Sequence, residues 1–240
     1  MTSVIGNLQA VRSRIAAASI SAARPVQAVT LLAVSKTFDA AAVREAVDAG
    51  QRAFGENYVQ EALDKIAALA DLRDLRPPLQ WHLIGPLQSN KTRVVAENFD
   101  WVHSVDRLKV AQRLSEQRPP ALPPLQLCLQ VNISGEDSKS GVAPADVPAL
   151  ARAVAALPRV SLRGLMAIPE PAADLAAQRL PHRALKELLG DLQAAGLALD
   201  TLSMGMSADL EAAVAEGATI VRIGTAIFGG RQRRPHKASV

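Results

Sequence analysis

The sequence predicts a closed eight-stranded α/β barrel, a (β/α)8 TIM barrel, and three observations predict it. Eight short strand-like apolar runs recur along 240 residues. Helix-period stretches separate them throughout. The first run, Val29-Thr30-Leu31-Leu32-Ala33-Val34-Ser35-Lys36, has six apolar residues in eight and reads as a strand buried on both faces, as in a parallel sheet covered by helices. A doubly wound open sheet alternates in the same way; the strand number favours the barrel.

Residues 3–19 read as a helix, with Val4, Leu8, Val11 and Ile15 at three- and four-residue spacing, and this extra helix would cover part of the barrel. The first strand covers about residues 29–35. Asp39 caps a helix that runs to Ala49, and Gly50 stops it. A short strand at 53–55 precedes a helix from Tyr58 to about Leu69, with Tyr58 as a helix-packing residue. Residues 81–84 form the third strand, followed by a helix that begins near Ser89. Residues 101–104 form the fourth, and Asp106 caps the next helix. Prolines at 119, 120, 123 and 124 make a stiff connector, after which the alternation resumes. Strands five to eight fall at 125–131, 162–167, 201–204 and 219–223, with helices over 144–157, about 175–195 and 208–216 between them.

Composition narrows the function classes. Apolar residues make up 49% and charged residues 21%, the balance of a globular chain, while aromatics at 3% leave alanine-rich helices lying close to a sheet. The single Cys128 excludes an internal disulfide and a cysteine metal cluster, and its apolar run makes it a buried thiol. His82, His103, His182 and His236 show no ligand spacing, so no metal is expected, and the two strand histidines should hydrogen-bond in the core. No apolar run approaches ~18 residues and the first residues lack a signal-peptide layout, so a cytoplasmic protein without a membrane partner is expected. The formal charge of +4 equals the four basic residues Arg231, Arg233, Arg234 and Lys237. One domain over 1–230 with a basic, disordered tail at 231–240 follows. The body has no basic stripe interleaved with aromatics, so no nucleic-acid partner is expected.

Polar residues gather where the strands end, which in a barrel is one rim. Lys36 follows strand one, Gly55-Glu56-Asn57 strand two, Ser203-Met204-Gly205-Met206-Ser207 strand seven, and Arg222-Ile223-Gly224-Thr225 strand eight. A desolvated lysine at that edge would have a lowered pKa and an amine ready to attack a carbonyl; the alternative is a lysine leaving the strand into solvent. Gly224-Thr225 with Gly205 and Ser207 offers backbone N–H groups and hydroxyls to a phosphate, although Ser207 could equally cap its helix. A phosphate at one end and an amine seeking an aldehyde at the other describe pyridoxal 5′-phosphate. Arg222 shares a face with Ile220 and Gly224; turned inward it could hydrogen-bond the pyridine nitrogen and keep it unprotonated, or else it pairs with Glu211.

The segments 33–37, 54–61, 81–85, 87–91, 130–132, 139–142, 164–166, 202–209 and 221–229 resemble, in order, the pyridoxal phosphate homeostasis protein family. Among them are Ala33-Val34-Ser35-Lys36-Thr37, Phe54-Gly55-Glu56-Asn57-Tyr58 and Leu202-Ser203-Met204-Gly205-Met206-Ser207. That resemblance implies an alanine-racemase-like barrel that carries its cofactor on a lysine without a demonstrated catalytic activity. It implies Lys36 as the Schiff-base lysine, with Ser207, Gly224 and Thr225 at the phosphate. Arg222 would face the pyridine nitrogen, and Asn57 and Met204 would neighbour the ring, with Ser203 in the same cofactor-binding set. One departure is Pro86, where related sequences usually have histidine. The function so implied is binding, buffering and delivery of pyridoxal phosphate, with dependent apoenzymes as partners.

The alternative is an amino-acid racemase using the same cofactor, which needs a second acid/base on the opposite ring face. The only tyrosine is Tyr58, and the chain stops about ten residues after the last barrel glycines, so no added β domain and a monomer are expected. A sugar-phosphate barrel with Lys36 as an aldolase-type amine would need rim carboxylates. Glu56 and Asp106 are available, although Glu56 could simply cap its helix.

Overall fold

The computed structural model describes residues 3–135 and 140–230. Eight parallel strands close in chain order: β1 (Thr30–Val34), β2 (Ala53–Glu56), β3 (Gln80–Leu83), β4 (Trp101–Val105), β5 (Leu125–Gln130), β6 (Val160–Met166), β7 (Thr201–Ser203) and β8 (Ile220–Ile223). β8 pairs back onto β1 with Leu32 opposite Arg222, so the expected barrel is the fold. The helices among the described residues are α1 (Val4–Ser21), α2 (Ala40–Asp48), α3 (Val59–Ala68), α4 (Thr92–Asn98), α5 (Leu108–Gln117), α6 (Val147–Ala155), α7 (Leu175–Ala194), α8 (Leu210–Ala215) and α9 (Thr225–Phe228). Lys139, and with it part of the 139–142 segment, lies outside the described residues, as does the basic segment 231–240.

Local chemistry sets most of these boundaries. Ser3 accepts the Gly6 N–H to cap α1, and Asp39 accepts the Ala42 N–H to cap α2. Three expectations are corrected. Arg107, in extended conformation, precedes α5, and Asp106 instead accepts from Arg107 at 2.7 Å. Tyr58 is 56% exposed rather than packed. α6 is shorter than residues 144–157 because Pro144–Asp146 form a separate 3-10 turn.

Two-residue alternation divides the barrel into two environments. Leu31, Ala33, Phe54, Val102 and Leu127 join the helices in the main apolar cluster. Leu32, Ala53 and Ile220, with Trp101 and Ile84, form a small separate cluster. α1 braces the strand-end loops: Asn7 Nδ2 donates to the Ile227 carbonyl at 2.8 Å, and Arg14 donates to the Ser207 carbonyl at 2.7 Å and pairs with Glu211. No helix among the described residues is long and apolar enough to cross a membrane.

Candidate functional site

The carboxyl ends of β7 and β8 hold a fixed cation. Arg222 is buried, with Nη1 donating to the Ser203 carbonyl at 2.5 Å and to Ser203 Oγ at 2.8 Å, and Nη2 to the Ala167 carbonyl at 2.8 Å. These three bonds leave two of the five guanidinium N–H groups without an acceptor among the described residues. Burial pushes its pKa down to about 10, so it stays protonated at neutral pH. The pairing with Glu211 does not occur, because Arg14 takes that carboxylate.

A polar chain runs on from Arg222 inside the barrel. Ser203 Oγ lies 2.7 Å from His103 Nδ1, and His103 Nε2 lies 2.9 Å from His82 Nδ1. Desolvation pushes His82 down to about 3 and His103 well below the usual histidine range, so both rings are neutral. The strand histidines therefore hydrogen-bond in the core, as expected. Cys128 is buried too, its thiol pushed up to about 12 by desolvation.

Beyond β8, Gly224 precedes the single turn of α9. A Cβ at Gly224 would lie 3.1 Å from the Val34 carbonyl and 3.3 Å from its Cβ, so a bare glycine lets this turn close on β1. Thr225 and Ala226, first in α9, have no intrahelical acceptor for their N–H groups. Gly205 sits at φ +91°, and a Cβ there would come within 2.5 Å of Ala213. Ser207 does not cap α8, which starts at Leu210 after Asp209; its carbonyl is held by Arg14.

Lys36 stands two residues past Val34, the last residue of β1, half-buried, without a hydrogen bond or ion pair to any described residue. Two residues on, Phe38 stacks on Phe228 of α9 with ring centroids 5.1 Å apart, so the lysine turn and the Gly224–Thr225 turn lie side by side. A second lysine close by is differently placed. Lys65 Nζ is buried and donates to the Ser35 carbonyl, Glu56 and Glu61 at 2.7, 2.7 and 2.6 Å, which uses all three of its protons. Glu56 is therefore no helix cap: its Oε1 also accepts from Ser35 Oγ at 2.6 Å. Burial pushes the Glu56 carboxyl up against the opposing pull of Lys65.

Asn57 follows β2, with its Oδ1 buried and without a hydrogen-bond partner. It lines a cleft of about 310 Å³ with Ile84, Pro86, Gln130, Asn132 and Ile168. Pro86 gives that wall an apolar, non-titrating surface. Met204, by contrast, lies in the main apolar cluster with Leu202 and Val221. The fold thus brings Lys36, Asn57, Ser203, Arg222, Gly224 and Thr225 to one end of the barrel, with Ser207 in the adjoining loop. Among the described residues no group of three or more His, Cys, Asp or Glu could hold a metal ion. Sequence reading missed the roles of Lys65 and Glu61. Their only advance signal was the i, i+4 spacing of a carboxylate and an amine on one helix face.

A model of the alanine racemase N-terminal domain matches residues 6–232. The chain is 65% identical over 231 residues to the pyridoxal phosphate homeostasis protein of Pseudomonas aeruginosa, covering 96% of this chain and 97% of that one. Among solved structures it is similar to PipY of Synechococcus elongatus with PLP bound, at 42% identity and TM-score 0.81, over 94% of this chain and all of that one. It shares the fold of an alanine racemase from Clostridium difficile at 14% identity and TM-score 0.67, over 87% of this chain and 53% of the racemase.

Proposed function

We propose, from the premise that this chain belongs to the alanine racemase N-terminal domain family and within it to the pyridoxal phosphate homeostasis proteins, that it binds pyridoxal 5′-phosphate on Lys36 in order to hold and hand over that cofactor. The observation that carries this reading is the contrast between the two lysines. Lys65 has no proton left to offer, whereas Lys36 has no hydrogen-bond or ion-pair partner among the described residues and stands beside a turn whose first N–H groups have no intrahelical acceptor.

The residues fit the group. Lys36 would hold its carbonyl carbon covalently, and Ser207, Gly224 and Thr225 would take the phosphate at the start of α9. Arg222 would donate one of its two spare N–H groups to the ring nitrogen, with Asn57 and Ser203 completing the surroundings and Met204 packed behind β7 in the apolar cluster. Bound pyridoxal phosphate supplies an aldehyde that captures amines and an electron-withdrawing ring. Arg222 can only donate, so it keeps the ring nitrogen an acceptor and weakens that electron withdrawal. This supports a carrier without a dedicated catalytic reaction, acting as a cytoplasmic monomer toward apoenzymes that need the cofactor. Adding pyridoxal phosphate to purified protein should raise an absorption band at the edge of the visible that survives desalting. A protein left colourless at excess cofactor would contradict the proposal.

A further inference from the structure

The backbone on both sides of Lys36 is tied to one buried ionic cluster. Before the lysine, the Ser35 carbonyl accepts from Lys65 Nζ at 2.7 Å, and the Ser35 hydroxyl donates to Glu56 Oε1 at 2.6 Å. After it, the Thr37 N–H donates to Glu61 Oε1 at 2.5 Å, and the same oxygen accepts from Lys65 Nζ. Thr37 sits at φ +70°, a left-handed conformation that costs a non-glycine residue free energy and persists where surrounding bonds impose it. Glu56 and Lys65 are almost wholly inaccessible, with side-chain exposures of 0% and 5%. Removing charges from water is unfavourable, and replacing such a pair by apolar residues is often neutral or stabilising. Fold stability alone gives little reason for this cluster.

We propose that Lys65, Glu56 and Glu61 are positioning residues that clamp residues 35–37 and so aim the Lys36 amine into the mouth of the barrel. This rests on the reading of Lys36 as the cofactor-bearing lysine. The clamp holds backbone on either side and leaves the Lys36 side chain unbonded. The turn is thereby fixed while the amine stays free to bond and release.

Two variants test it. Lys65→Met with Glu56→Gln removes both buried charges together, and Glu61→Ala cuts the Thr37 tie and the Glu61–Lys65 bond while keeping the Lys65–Glu56 pair. Both are compared with Leu189→Ala, a core truncation in α7. The first readout is amide hydrogen exchange of the peptide spanning 35–38, which needs no cofactor. The second is the rate at which borohydride fixes pyridoxal phosphate onto Lys36 at limiting concentration. The clamp predicts faster exchange at Thr37 in both variants and labelling slowed about tenfold or more in the double variant, with Leu189→Ala like wild type in both. Wild-type exchange and labelling in Glu61→Ala or in the folded double variant would overturn it. So would an equal loss in Leu189→Ala, since the effect would then be general loosening. If wild type itself takes no label, the cofactor reading fails while the exchange arm still decides the clamp.

Discussion

The two flanks of the barrel mouth are held by different physics. On the β7–β8 flank the candidate functional cation is itself the fixed part: Arg222 is buried and spends three N–H groups on Ser203 and Ala167. On the β1–β2 flank the fixed part is a neighbour. Lys65 takes the burial and all the bonds, and Lys36 is left with none. The difference matches two tasks. A group that sets the electronic state of a ring needs one geometry, whereas an amine that forms and releases a covalent bond needs freedom.

The sharpest way to break this comparison is to delete one cation from each flank. Lys36→Ala should abolish covalent retention of pyridoxal phosphate yet leave stability within about 0.5 kcal/mol, because it removes no hydrogen bond or ion pair to a described residue. Arg222→Met should do the reverse in kind. Stranding the Ser203 and Ala167 carbonyls should cost about 3 kcal/mol or more in urea unfolding, and bound cofactor should absorb at a shifted wavelength. Equal stability losses in the two variants would erase the distinction.

Acid probes next the polar chain that runs from Arg222 and Ser203 to His103 on β4 and His82 on β3. His82 and His103 are neutral when folded, with pKa values far below the ordinary 6.5, so the unfolded chain binds protons that the folded chain cannot. Stability is then full above about pH 6.5. It should fall toward pH 3 by about 1.4 kcal/mol per pH unit for each histidine. Urea midpoints measured from pH 7.5 to 5 should show this slope, and His82→Phe should flatten it. An unchanged slope in that variant would remove His82 from the account. The smallest effect belongs to the brace from α1. Glu211→Gln removes a half-exposed ion pair with Arg14, and the melting change should stay under about 1 kcal/mol.

Sequence reading reached one flank better than the other. Arg222 facing inward follows from counting by twos from Ile220, and the Gly224–Thr225 turn follows from strand eight ending there. The Lys65 cluster does not follow in this way. Its partners Ser35 and Glu56 lie 30 and nine residues away and meet only because β1 and β2 pair and α3 folds back over them. Glu56 consequently looked like a helix cap. Ser207 looked like one too, yet α8 begins three residues later, after Asp209, whose carboxylate turns back to accept the Met206 N–H. Tyr58 was misplaced because an aromatic at a helix start carries no sign of which side faces solvent. Caps and packing partners of this kind depend on which surface a neighbouring helix covers, and periodicity is silent on that.

The central claim is that one of two neighbouring lysines is free to bond. Borohydride reduction of the protein saturated with pyridoxal phosphate, followed by peptide mapping, tests it directly. The account predicts a reduced pyridoxyl group on Lys36 and none on Lys65. A label on Lys65, or on no lysine of the barrel mouth, would contradict it.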